Sequence, residues 1–101
     1  MIPVIPLSGE FVPLVLSGRK ISTVRLKRRP YTPGPAILRS RDVEIPITVT
    51  TVRNCNLRDL NDADARKDGF ESIGDLHSVL QKIYGNLEPD QEVAVLEFSL
   101  R

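Results

Sequence analysis

Gly18-Arg19-Lys20-Ile21-Ser22-Thr23-Val24-Arg25-Leu26 is the stretch from which the fold reads. It opens on a glycine, the residue best suited to end a helix, and runs into residues that favour a strand. Just upstream, Ser8 and Gly9 introduce a helix over about residues 10–17, with Phe11, Leu14 and Val15 as its apolar stripe. Pro13 is tolerable there only in or just past the first turn, where backbone N–H groups lack helical partners. Before that helix, residues 2–7 read as a short strand, interrupted by Pro3 and Pro6 and therefore placed at an edge. Residues 21–26 form the next strand, with Val24 and Leu26 on one face and Ile21, Thr23 and Arg25 on the other.

Downstream, residues 27–35 make a basic, proline-rich loop, 36–40 a short strand, and Arg41-Asp42 a turn. Over 43–52, Val43, Ile45, Ile47 and Val49 alternate with Glu44, Pro46, Thr48 and Thr50, and the outward Pro46 points to an edge or a bulge. Asn61 is placed to cap a short helix over 62–67, with Gly69 ending it. Ser72 and Asp75 resemble a capping box ahead of a helix over 73–84, which buries Ile73, Leu76, Leu80 and Ile83 at helical spacing. Gly85 ends that helix, and 92–100 is a final strand with Ala94, Leu96, Phe98 and Leu100 on one face. The order β-α-β-β-β-α-α-β does not alternate strand and helix throughout, which argues against a doubly wound parallel sheet. The expectation is an α+β fold: one domain over residues 1–101, built on a small, mostly antiparallel β-barrel or curled sheet with flanking helices.

The 101 residues are 41% hydrophobic and 27% charged, ordinary values for a folded protein. Net charge is +1, but its distribution is uneven. Residues 11–41 hold Arg19, Lys20, Arg25, Lys27, Arg28, Arg29, Arg39 and Arg41 and no acid; residues 56–98 hold ten acids against four basic residues. That asymmetry predicts two unlike faces, one attractive to anions such as a nucleotide or RNA. Cys55 is the single cysteine, so no intrachain disulfide forms and no multi-cysteine zinc site exists. A reducing, cytoplasmic location is the corresponding expectation. The N-terminus lacks the basic-then-apolar pattern of a signal peptide, and no apolar run approaches a membrane span. His77 sits in mid-helix as a surface or boundary residue, and Asp59, Asp62, Asp64 and Asp68 lack the glycine of a calcium loop. No metal and no cofactor are therefore expected.

Three patterns then combine in order: Gly18-Arg19-Lys20-Ile21-Ser22-Thr23-Val24-Arg25; the segment from Leu57-Arg58-Asp59-Leu60-Asn61-Asp62 to Ala65-Arg66-Lys67-Asp68-Gly69-Phe70; and a helix ending at Tyr84 followed by Val95-Leu96-Glu97-Phe98. Over nearly its whole length the chain resembles the ASCH domain family, whose barrel is related to the PUA fold of RNA-binding proteins. The family's motif is commonly Gly-Lys/Arg-Lys-Thr followed by a Thr-x-Arg strand; here Ile21 stands where Thr usually follows the lysine, and Gly34-Pro35 replaces a frequent Gly-Asp pair. Small bacterial members act as amidohydrolases on N(4)-acetylcytidine, with a lysine, a threonine three residues later and a glutamate before the second helix as the proposed catalytic set. The resemblance implies Lys20 and Thr23 for the first two, and Asp68, one methylene shorter than glutamate, for the third.

Such a set suits amide hydrolysis, which needs a nucleophile, a base and an acid to protonate the leaving nitrogen. Thr23, or water that it activates, would attack; Lys20 would act as base, its pKa lowered by burial and by Arg19 and Arg25; Asp68 would act as acid. Arg19, Ser22 and Arg25 would line the ligand cleft. Lys27, Arg28, Arg29 and Tyr31 would touch a sugar-phosphate backbone and stack on a base. The residue types leave other roles open: Lys20 as a phosphate contact, Thr23 as an ordinary strand residue, Asp68 as a solvated helix end. The function expected is binding of a nucleoside, nucleotide or RNA in a basic cleft, with deacylation of an N(4)-acetylcytidine-like nucleoside as the enzymatic form. The alternative is a non-catalytic RNA-binding module, or a ribonuclease, using the same cleft.

Overall fold

The computed structural model describes residues 1–27 and 30–101. The expected contacts Arg28 and Arg29 lie outside the described residues.

Five strands, β1 (Val4–Pro6), β2 (Ser22–Leu26), β3 (Gly34–Ser40), β4 (Val43–Asn56) and β5 (Glu92–Leu100), form one curled, mixed sheet in the order β1-β3-β4-β5-β2. Only β1 and β3 run parallel; the other neighbours are antiparallel. The expected α+β architecture is thus present as an open half-barrel whose edges are β1 and β2. Pro3 and Pro6 sit at an edge, where a missing N–H costs no ladder bond. One side chain spans the two edges: Arg25 on β2 donates from Nη2 to the carbonyl of Pro6 on β1.

Three helices flank the sheet: α1 (Val12–Leu16), α2 (Asp62–Lys67) and α3 (Ile73–Tyr84). The single helix expected over 10–17 is instead a 3-10 turn, Gly9–Phe11, followed by α1. Pro13 explains the break, because it is accommodated at the second position of α1 but would clash inside a longer helix. The cap of α2 forms as the sequence suggests, and of the box expected at α3 the Ser72 half is present. Asn61 and Asp64 exchange side-chain and backbone bonds of 3.0 Å each, and Ser72 accepts from the Asp75 N–H.

Alternation along the strands fills two apolar regions. Ile5, Ala36, Leu38, Ile45, Ile47, Val49, Ala94, Leu96 and Phe98 pack inside the curl. Val24, Leu26, Val93 and Val95 face outward onto Leu57, Leu60, Ala65, Leu76 and Leu80 of the helical layer. Three residues expected in the core stay exposed: Val43 and Leu100, at strand ends that outrun their neighbours, and Ile83, on the open side of α3.

Strand β4 runs past the expected Val52 to Asn56. A bulge between Val49 and Thr51 shifts its register against β5, so that Val52 rather than Thr51 returns to the apolar interior. Pro46 sits in this central strand where β5 has ended, and only the Arg101 N–H reaches its carbonyl from that side. Its outward position is therefore an edge in the local sense.

Folding partly offsets the uneven charge of the sequence. It brings acids onto the basic stretch: Arg19 beside Glu71 at 3.9 Å, Lys27 beside Glu92 at 4.0 Å, Lys20 against Asp68 and Arg39 against Glu44.

Candidate active site

The turn between α1 and β2 is clamped to the end of α2. Gly18, at φ 81°, closes α1, and the Lys20 N–H returns to the Leu14 carbonyl at 3.0 Å. The next residue, Ile21, donates its N–H to Lys67, the last residue of α2, at 2.8 Å. Asp68 caps that helix, and Gly69 follows at φ 94°. A Cβ at Gly69 would come within 3.4 Å of the Lys20 Cβ and 3.3 Å of Leu14 Cδ1, so the two segments approach as closely as a glycine allows.

This clamp brings together two ionisable side chains 48 positions apart. Lys20 and Asp68 are only 4% and 3% exposed. The Lys20 Nζ contacts Asp68 Oδ1 and lies 3.4 Å from the Asp68 carbonyl, while Asp68 Oδ2 accepts the Val24 N–H at 3.2 Å. The shorter aspartate thus reaches the lysine because its backbone has come close. Phe11 covers the ammonium, its ring centroid 5.4 Å from Nζ, and meets Phe70 edge-on at 5.8 Å.

Thr23 is also buried, and its Oγ1 accepts a 3.1 Å bond from Arg25 Nε. One guanidinium therefore fixes the threonine hydroxyl and ties β2 to β1. Lys20, Thr23, Arg25 and Asp68 all line one cavity of about 260 Å³. Its opposite wall is apolar, from Phe11, Phe70 and the α3 residues Leu76, Val79 and Ile83.

Burial pushes the Lys20 amine below its ordinary pKa, against the charge and hydrogen bond of Asp68; the charge of Arg25 adds a smaller push in the same direction. Burial likewise pushes the Asp68 carboxyl up, against Lys20, the Val24 N–H and Arg25. Both shifts favour the neutral forms, a free amine beside a protonated acid. Such a pair can take a proton at one member and give one at the other.

The other expected site residues lie elsewhere. Arg19 is exposed beside Glu71, and Ser22 is fully buried away from the cavity, its Oγ without a hydrogen-bond partner among the described residues. Strand parity carried that signal, since Ser22 shares the face of Val24 and Leu26 rather than that of Thr23. Lys27 sits at the far end of β2, near Asn54, Asn56 and Glu92. Tyr31 is half-buried against the interior of the curl and lines a separate cavity with Pro30, Thr32 and Val49. Phe11, Phe70, Val79 and Ile83 are lining residues that spacing alone did not single out. Among the described residues, no group of three metal-ligating side chains occurs, and no helix is long and apolar enough to cross a membrane.

No protein-family model matches the chain, and no curated protein matches its sequence. Solved structures do match its shape. The ASCH domain from Lactobacillus crispatus JV V101 superposes with a TM-score of 0.74 at 14% identity, covering 87% of this chain and 68% of that one. Protein EF3133 from Enterococcus faecalis V583 gives a TM-score of 0.66 at 17% identity, over 87% of this chain and 64% of that one. The hypothetical protein PH0355 gives a TM-score of 0.78 at 22% identity, over 100% of both chains. At these identities the likeness shows the fold alone, and that fold is shared with the ASCH domain from Lactobacillus crispatus.

Proposed function

We propose that the chain is a small amidohydrolase that deacylates a nucleoside of the N(4)-acetylcytidine type. The observation that carries this reading is the buried Lys20–Asp68 pair, which opens together with Thr23 onto one cavity. In the proposed reaction the Lys20 amine takes a proton from Thr23 Oγ1, or from water held by it, and the oxygen adds to the amide carbon. Asp68, whose burial favours its protonated form, supplies the proton for the leaving nitrogen. Arg25 Nε holds one lone pair of Thr23 Oγ1 and so limits where the hydroxyl hydrogen can point.

Cavity size favours a small substrate over a strand of nucleic acid. About 260 Å³ lies just below the roughly 300–1,000 Å³ common for small-molecule sites. The RNA-binding reading draws less support, because Lys27 pairs with Glu92 and Tyr31 packs against the interior of the curl.

The test is release of cytidine from N(4)-acetylcytidine by the purified protein, followed by chromatography. Wild-type turnover and its loss in Lys20→Ala are the expected results. A wild type that leaves the compound intact would remove this substrate from consideration.

A further inference from the structure

We infer that the cavity binds small apolar monocarboxylates, Arg25 meeting the carboxylate and the α3 side meeting the apolar body. This rests on the reading of the cavity as the ligand site, but not on amide turnover.

The first ground is charge balance. Among the described residues, three charged side chains line the cavity: Lys20, Arg25 and Asp68. Lys20 and Asp68 offset each other by direct contact. Arg25 has no such partner, since no carboxylate among the described residues lies within ion-pairing distance of it. Its bonds go to Thr23 Oγ1 and the Pro6 carbonyl, both uncharged. A guanidinium carries five N–H donors in a planar fork, so these two acceptors leave donor capacity for a carboxylate. The guanidinium is half-buried, where water screens it less than at an open surface.

The second ground is the division of the wall. The charged groups come from the turn before β2, from β2 and from the end of α2, while Phe11, Phe70, Leu76, Val79 and Ile83 make most of the facing side apolar, with the Tyr84 hydroxyl at the end of α3. A ligand with one polar end and an apolar body satisfies both. One uncompensated positive charge matches a monoanion better than a phosphate, which carries about two negative charges near neutral pH.

This charge has a consequence for hydrolysis. Water adds across the C–N bond of the amide, the nitrogen leaves with a proton, and the acyl group leaves as its carboxylate. The acid product is then the species that Arg25 retains, and an apolar acid should inhibit turnover.

Benzoate and its neutral isostere benzamide test the inference by titration into the ¹⁵N-labelled protein at constant ionic strength. Benzoate should saturate, with shifts centred on Thr23, Val24, Arg25 and Phe70. Benzamide should bind at least about tenfold more weakly, the scale of one charge-assisted hydrogen bond. Arg25→Met should bring benzoate down to the level of benzamide, and Arg25→Lys should keep the preference for the acid. The wild-type comparison needs no variant, so a folding defect in Arg25→Met leaves the test intact. Equal binding of benzoate and benzamide would overturn the inference, as would inorganic phosphate binding as tightly as benzoate, or shifts centred on a second cavity, which Leu57, Arg58, His77 and Leu87 line. Turnover of N(4)-acetylcytidine is scored separately, so hydrolysis can fail while carboxylate binding stands, and the reverse.

Discussion

Asp64 and Asp68 stand one turn apart on α2, the first inside its opening turn and the second at its C-cap, and each pairs with a basic side chain across the helix–sheet junction. Burial disfavours the charge of both, yet their pKa values move in opposite directions. At Asp64, the Arg53 hydrogen bond, the Asn61 N–H and the charges of Arg53 and Lys67 outweigh burial, and the carboxyl drops below its ordinary value. At Asp68, burial outweighs Lys20, and the carboxyl rises. The partners account for much of the difference. Arg53 keeps 52% of its side chain exposed, whereas Lys20 keeps 4%, so the second pair is stripped of water on both sides. Asp64 therefore holds a helix in place, while Asp68 is the carboxyl to which the proposed reaction assigns proton transfer.

The sharpest way to break this comparison is to remove each carboxylate in turn. Asp68→Asn keeps an acceptor for the Val24 N–H but cannot donate as an acid, so deacylation should fall by about 10²- to 10⁴-fold. Asp64→Ala should leave the rate per folded molecule unchanged and lower stability by about 1–2 kcal/mol, through the lost capping bond and the partner left behind. Steady-state rates and urea denaturation of the two variants decide. Equal losses of rate would erase the distinction between the two aspartates.

A double-mutant cycle sharpens it further. Lys20→Met leaves the Asp68 carboxyl buried without its hydrogen-bonding partner and should cost about 1–3 kcal/mol. Lys20→Met combined with Asp68→Asn removes both ionisable groups while keeping the Val24 bond, and should recover most of that loss. A double variant as unstable as the single one would mean that the pair stabilises the fold on balance.

Titration should separate the two groups with no substitution at all. Asp64 should titrate below 3.8 and Asp68 above it, followed by the carboxyl ¹³C shifts. The signs for stability are opposite. A depressed Asp64 contributes stability above pH 3.8 that is lost as pH falls through its folded value. A raised Asp68 keeps its proton in the folded state after the unfolded chain has released it, so its contribution is lost as pH climbs from 3.8 through its folded value. Asp68 titrating below Asp64 would reverse the assignment of roles.

Much of the frame around this contrast was legible in the sequence, because local rules decide it. Asn61 announces α2, Ser72 and Asp75 announce α3, and apolar residues at every second position from Ala94 to Leu100 announce β5. The bulge in β4 was not legible beyond the hint at Pro46, since Thr50 is unremarkable as a strand residue and its displacement is fixed by pairing with β5. The Lys20–Asp68 contact spans 48 positions and came only from the family resemblance; no spacing rule predicts that Ile21 will bond to Lys67. Charge along the chain was an incomplete guide. Runs of basic residues describe a one-dimensional order, whereas the acids that neutralise Arg19, Lys20 and Lys27 arrive from the other half of the sequence.

Ser22 provides the smallest test, and it bears on why polar groups are buried at this junction. It lies between the clamp residue Ile21 and the candidate nucleophile Thr23, with 0% exposure and an Oγ that has no partner among the described residues. Asp68 and Thr23 are buried with hydrogen bonds in place; Ser22 carries the cost of desolvation with none of the return. Ser22→Ala should therefore be neutral or stabilising by up to about 1 kcal/mol, with unchanged turnover, because an orphan hydroxyl is removed and no cavity larger than one atom is left. A loss of more than about 1 kcal/mol on denaturation would show that the hydroxyl finds a partner in solution, such as a bound water. Ser22 would then join Asp64 as a structural polar group rather than stand as an uncompensated one.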